Sequence, residues 1–261
     1  MEYINYINSF ENAQAIENAL SAGTLHRPYA ALDLSTGKVV FGKVLPPEPT
    51  GETRVMATYR IENAGDSVQI FQPCEANFWT KIELDGVDIK ADVDEYGYYT
   101  FQESGDTTLY FSFTGHDLSQ QDEGSGDGWF AELMNLVSLY IPDHVTAIGA
   151  LFCNYDENLA EVHLSESLTT IPMASFGGCY SLSSITLPSG ITDIEDWAFM
   201  SVPKVYVNSP VPPTVVPYSD DGEGSEYGSF LYVEEIVVPC DLLATYQADS
   251  GWTTWNSVLT C

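Results

Sequence analysis

From Asn135 onward the apolar positions recur every 23 residues. "NLVSLYIPDHVTAIGALFCNYDE" starts at Asn135, "NLAEVHLSESLTTIPMASFGGCY" at Asn158 and "SLSSITLPSGITDIEDWAF" at Ser181. In register, Leu136, Leu159 and Leu182 align, as do Leu139, Val162 and Ile185, and Ile141, Leu164 and Leu187. Val145, Leu168 and Ile191 follow, then Ile148, Ile171 and Ile194. One such unit cannot bury its apolar face alone. A fixed period with this many coincidences therefore predicts a solenoid whose turns stack with these rows inward.

Strand side chains alternate, so residues between the rows point outward. In the first turn these are Ser138 and Tyr140. Their equivalents are Glu161 and His163, Ser184 and Thr186, and Lys204 and Tyr206. They form a parallel strip of mixed side chains and are the candidate binding residues. Tyrosines beside small polar residues suit contact with a glycan or a protein; packing under loops or against another subunit is the alternative. Two departures mark the pattern: Phe152 is one place earlier than Phe176 and Phe199 require, and three residues are missing before Val202, Val205 and Val207 resume it. "WFAELMNL" reads as a capping half-repeat, and Ile236, Val238 and Pro239 as a last strand.

Upstream the period changes. Residues 54–116 alternate apolar and polar in short runs ("RVMATYRIE", "SVQIF", "FWTKIELDGVDIK", "TTLYFSF") with turns rich in Gly, Asp and Asn, which predicts a small, Ig-like β-sandwich. Residues 117–128 read as an acidic loop and 44–53 as a proline-rich linker. In 1–43, Ser9 opens a helical spacing through Phe10, Ala13, Ile16 and Leu20, and "YAALDLSTGKVVFG" reads as a hairpin. The expected class is mostly β: an N-terminal α/β attachment segment, a small β-sandwich, and a short C-terminal solenoid over 129–261.

Charge narrows the partners. The chain has 8 Lys and Arg against 38 Asp and Glu. After Lys90 the only Lys or Arg is Lys204, against 26 acidic residues. That field repels phosphate backbones and anionic lipid, so neither nucleic acid nor membrane is expected. No run reaches the ~18 apolar residues of a membrane span. Two acidic, glycine-containing loops offer calcium-type oxygen ligands: Asp220, Asp221, Glu223 and Glu226, and Asp122, Glu123 and Asp127. A solvated loop is the alternative, and no other cofactor is expected. The five cysteines show no CxxC pair; Cys153 and Cys179 read as small core residues, and Cys240 and Cys261 as a pair able to bridge. The four histidines are dispersed, and neither HExxH nor GxSxG occurs. No catalytic residues are expected; a hydrolase on a β scaffold is the minor alternative. The N-terminus shows no signal-peptide pattern.

The unit L-x-x-I-x-(I/L)-P-x-x-(I/V)-T-x-I-x-x-x-A-F resembles the BspA-type leucine-rich repeat. "VYVNSPVPPTV" and "EEIVVPCDLLATYQADSGWTTW" are similar to that family's ending. The segment holding "ELDGVDIK" and "YYTFQESGDTTLYFSF" resembles the small sandwich that precedes such repeats in proteins of gut bacteria and their phages. "LHRPYAALDLSTGKVVFG" looks like N-terminal segments of virion-associated proteins.

These resemblances imply exposed recognition without catalysis. The expected role is a phage virion structural or fibre-like display protein. It would attach to other virion proteins through its N-terminal unit, present its repeats to a host-surface glycan or protein, and form a homo-oligomer. The alternative is a bacterial cell-surface or secreted adhesin.

Overall fold

The computed structural model describes residues 8–10, 29–33, 38–42, 52–73, 78–119, 128–220 and 226–261. The chain divides into two compact units, Met1–Pro49 and Thr50–Cys261. In the first, β1 (Asn8–Phe10) pairs parallel with β2 (Tyr29–Asp33), and β2 pairs antiparallel with β3 (Lys38–Gly42). The hairpin expected at "YAALDLSTGKVVFG" therefore forms. Ser9 and Phe10, expected to open a helix, lie instead in β1 against Leu32 and Asp33. Strand pairing outweighs the local capping signal there. The rest of that expected helix, and the linker apart from Glu52 and Thr53, lie outside the described residues.

The second unit begins with β4 (Glu52–Ile61), β5 (Ser67–Gln69), β6 (Lys81–Leu84), β7 (Val87–Asp88), β8 (Tyr98–Thr100) and β9 (Gly105–Thr114). β4 and β9 pair antiparallel along their full length, β6 lies on the far side of β9, and β7 lies beyond β6. β5 and β8 form a separate ladder. Period-two alternation buries Val55, Ala57, Tyr59 and Ile61 on one face of β4, with Leu109, Phe111 and Phe113 of β9 beside them. Trp79 closes this core, with ring centroids 4.9 Å from Phe78 and 5.1 Å from both Phe111 and Trp129. Buried aromatic contacts of this kind contribute about 0.5–1.5 kcal/mol each beyond area burial.

The solenoid follows, wound on two strand ladders. One contains β11 (Leu136–Tyr140), β13 (Glu161–His163), β15 (Ile185–Leu187), β17 (Lys204–Val207), β21 (Glu235–Val237) and β22 (Leu259–Thr260). The other contains β10 (Asp117–Leu118), β12 (Ala147–Ile148), β14 (Thr170–Ile171), β16 (Asp193–Ile194) and β18 (Thr214–Val215). The aligned apolar rows are its core. Leu136, Leu159 and Leu182 are each 0% exposed, and every other row member is buried except the half-buried Val162. Three residues drop out before Val205, and its pairing with Ile185 shows that the shortened turn returns to register.

A third ladder runs through the turns. Glu132, Tyr155, Gly178, Ser201 and Tyr232 hold φ between 57° and 77°. The first four donate their N–H to Asn154, Gly177, Met200 and Leu231 of the following turn. The left-handed conformation aims these amides along the stack. Leu151, Ala174 and Trp197 form a second such column at φ 52° to 58°. Only Gly178 relieves the steric cost in the first column. A Cβ there would also meet Tyr155 Cδ1 at 2.6 Å. The Phe152 slip is accommodated inside: Cys153 takes the place of a phenylalanine in the column Phe130, Phe176, Phe199, Phe230, and Phe152 packs on Phe130 at 5.6 Å.

Residues 54–116 and the solenoid share a sheet. β11 pairs antiparallel with β4 (Tyr140↔Met56, Ser138↔Thr58), giving the order β13-β11-β4-β9-β6-β7. β10, within the stretch expected to be loop, pairs with β12, and the Gln72 amide donates to Trp129 O at 2.9 Å. Elements of the preceding segment thus cover the first turn's open ladder edges, which would otherwise template further strands. At the other end α1 (Leu243–Ala248) and the buried Trp252 close the core. Tyr246 Oη donates to Ser209 O at 2.7 Å and Trp252 Nε1 to Pro213 O at 2.8 Å.

Candidate functional site

The outward positions of the first ladder line up, at the 23-residue period in the first turns and across shorter and longer turns after them. Ser138 pairs with Glu161 and Tyr140 with His163; Thr186 pairs with Tyr206, and Lys204 with Glu235. Glu161, His163, Ser184 and Thr186 are exposed; Ser138, Tyr140, Lys204 and Tyr206 are half-buried. The backbone pairing is interrupted between β13 and β15, so the strip consists of two paired stretches.

Two groupings organise its surface. At the first turns the Tyr140 and His163 rings stack with centroids 4.4 Å apart and planes 6° apart. His163 Nε2 lies 3.2 Å from Asp143 Oδ1, which fixes the imidazole edge while 46% of the side chain stays exposed. At the last turns Lys204 Nζ lies 5.1 Å from the Tyr206 ring centroid and 2.6 Å from Glu235 Oε2. Thr260 Oγ1 donates to Glu235 Oε1 at 2.9 Å. The hydrogen bond to Glu235, then that to Tyr206, raises the Lys204 ammonium pKa. Lys204 and then Thr260 lower that of the Glu235 carboxyl. Between the two groupings Ser184 and Thr186 offer exposed hydroxyls.

Asp143, Glu235 and Thr260 were not among the sequence candidates. Glu235 was within reach, since alternation about Ile236 points it outward. Asp143 lies in a turn and Thr260 beyond the helix, where no period marks them.

The proposed calcium ligands divide. Asp220 and Glu226 face each other across the hairpin of β19 (Ser219–Asp220) and β20 (Glu226–Tyr227); Asp221 and Glu223 lie outside the described residues. Tyr218 Oη donates to Glu226 Oε1 at 2.9 Å, and Tyr232 Oη donates to Oε2. Asp122, Glu123 and Asp127 also lie outside the described residues. Among the described residues no three His, Cys, Asp or Glu side chains gather as a metal site, and no helix is long and apolar enough to cross a membrane.

One buried carboxyl breaks the apolar column. Asp156 is 0% exposed, in line with Cys179 and Val202, and its Oδ1 accepts the Leu133 amide at 2.6 Å. Burial pushes its pKa well above the usual carboxylate range, against the opposing pull of the Leu133 amide and the Cys153 thiol. It joins the capping half-repeat to the first turn and does not reach the strip.

The second unit is thus defined by a capped parallel β-solenoid that displays one organised face. Residues 124–209 match the BspA type leucine rich repeat region in 6 copies, so this part of the chain is a BspA-type leucine-rich-repeat region. Among solved structures the chain is similar to a leucine rich cell surface protein from Faecalibacterium prausnitzii A2-165, at 26% identity and a TM-score of 0.34. The likeness covers 51% of this chain and 31% of that one. No curated protein matches.

Proposed function

We propose that this chain is a non-enzymatic recognition protein that displays its leucine-rich repeats at a bacterial surface. The strip from Ser138 to Tyr206 contacts a host glycan or protein. The observation that carries this is the Tyr140–His163 stack, an aromatic pair held on an exposed ladder with small hydroxyl side chains alongside. Rigid aromatics with adjacent donors and acceptors are the chemistry of contact surfaces. BspA-type repeats, matched at 124–209, support exposed recognition as the general role.

The virion setting rested on the missing signal pattern and on the N-terminal unit. The first depends on where the sequence begins, and the side chains of the second lie outside the described residues. The cell-surface setting is therefore the reading we adopt.

The test is a panel of glycans and host-surface proteins probed with the full chain. Saturable binding that the simultaneous changes Tyr140→Ala, His163→Ala and Tyr206→Ala reduce at least about tenfold supports the reading. Turnover of a panel member, lost on changing one carboxylate, would replace it with an enzymatic one.

A further inference from the structure

Two cysteines sit at the end of the solenoid, one after each of its last two strands. β22 pairs parallel with β21 through Val237↔Thr260, and the Val238 amide donates to Thr260 O at 3.0 Å. The chain then turns at Pro239, where the Leu242 amide returns to Pro239 O at 2.9 Å ahead of α1. Cys240, two residues beyond Val238, and Cys261, the residue after Thr260, therefore lie at the same end of the β21–β22 pair. Both side chains are exposed. Cys240, and after it desolvation, raises the Cys261 thiol pKa.

Cys153 and Cys179 are different. Both are 0% exposed, and burial pushes both thiols upward, which keeps them as thiols and out of reach of oxidants. Among the described cysteines the exposed pair is the one open to exchange.

We propose that Cys240 and Cys261 are a disulfide site, closed by a low-molecular-weight disulfide such as oxidised glutathione, and that the bond clamps β22 onto the last turn. One thiolate attacks the oxidant and releases one reduced thiol. The second loses its proton, attacks the mixed disulfide and releases another. The protein loses two protons and two electrons, and the oxidant takes up both as it is reduced to two thiols. The closed loop runs from Cys240 to Cys261 and contains α1, Trp252 and Trp255, the groups that seal the core.

The clamp reaches the strip. Thr260 holds Glu235, Glu235 holds Lys204, and Lys204 lies against Tyr206. Fixing β22 therefore fixes the charged end of the proposed binding face. This consequence for binding rests on the strip reading; the bond itself does not.

The experiment incubates the full chain with oxidised or reduced glutathione, followed by alkylation and peptide mapping. The expected product links the Cys240 and Cys261 peptides, at a mass about 2 Da below that of the separate thiols. It melts about 5 °C or more above the reduced chain. Cys240→Ser leaves Cys261 as a glutathione adduct and removes the thermal difference. Both cysteines of the wild-type chain recovered as separate adducts, or both still alkylated, would overturn the site. A linked product that melts with the reduced chain would overturn the clamp. Loss of target binding on reduction, absent in Cys240→Ser, reports the link to the strip separately.

Discussion

Tyr140 and His163 face each other in parallel register and stack at 4.4 Å, so consecutive solenoid turns share one aromatic surface. The contact lies on the outside of the fold. We expect His163→Ala to cost no more than about 1.5 kcal/mol of stability, since an aromatic pair contributes about 0.5–1.5 kcal/mol and this one stays exposed. Chemical denaturation checks this. A loss of several times that size would make the pair part of the core.

Neighbouring residues on one strand separate core from face. Leu187 is 0% exposed, and Thr186 beside it points outward. Leu187→Ala should cost about 2–5 kcal/mol and Thr186→Ala less than about 0.5 kcal/mol. Equal losses would contradict the inward and outward assignment of β15.

The left-handed ladder makes an opposite pair of predictions. Ser201 holds φ 69° with a Cβ that disfavours it. Ser201→Gly should stabilise by about 0.5–1 kcal/mol, raising Tm by about 1–4 °C. Gly178→Ala should destabilise, because its Cβ would meet the Tyr155 ring at 2.6 Å. Calorimetry of the two variants reads both signs.

The apolar rows and the outward strip were legible in the sequence because they repeat, and repetition cancels local accidents. The antiparallel docking of β4 on β11 was not, since a single pairing between distant segments leaves no periodic trace. The left-handed columns were hidden because Leu151, Ala174, Trp197 and Tyr155 carry no turn signature. Ser9 misled, because capping chemistry is local and the pairing of β1 with β2 is not. Glu235 was readable from the alternation about Ile236, whereas Asp143 and Thr260 gain their roles only from tertiary contact.

Asp156 gives a pH signature. Its folded pKa is raised by burial, so the folded state holds a proton that the unfolded chain has released. Its contribution is full below the unfolded value of about 4 and is lost as pH rises through the folded value. Asp156→Asn keeps an acceptor for the Leu133 amide and removes that titration. The Tm advantage of the variant should widen from pH 5 to pH 8. A gap that is constant or narrows contradicts the burial account.

Calcium has to compete with tyrosine at the acidic hairpin, since both Glu226 oxygens already accept from Tyr218 and Tyr232. We expect millimolar calcium, compared with EDTA, to shift Tm by less than about 1 °C. A larger rise, lost in Glu226→Gln, would establish a metal site there.

The central claim is that one ladder recognises and the other only supports. Thr170, Asp193 and Thr214 lie in register on the second ladder and point outward, as Tyr140, His163 and Tyr206 do on the first. The direct measurement is the affinity of two triple-alanine variants, one per ladder, for the same target. The strip variant should lose at least about tenfold in affinity and the second-ladder variant less than about twofold, with similar Tm values. Equal affinities, or a loss confined to the second ladder, would contradict the account.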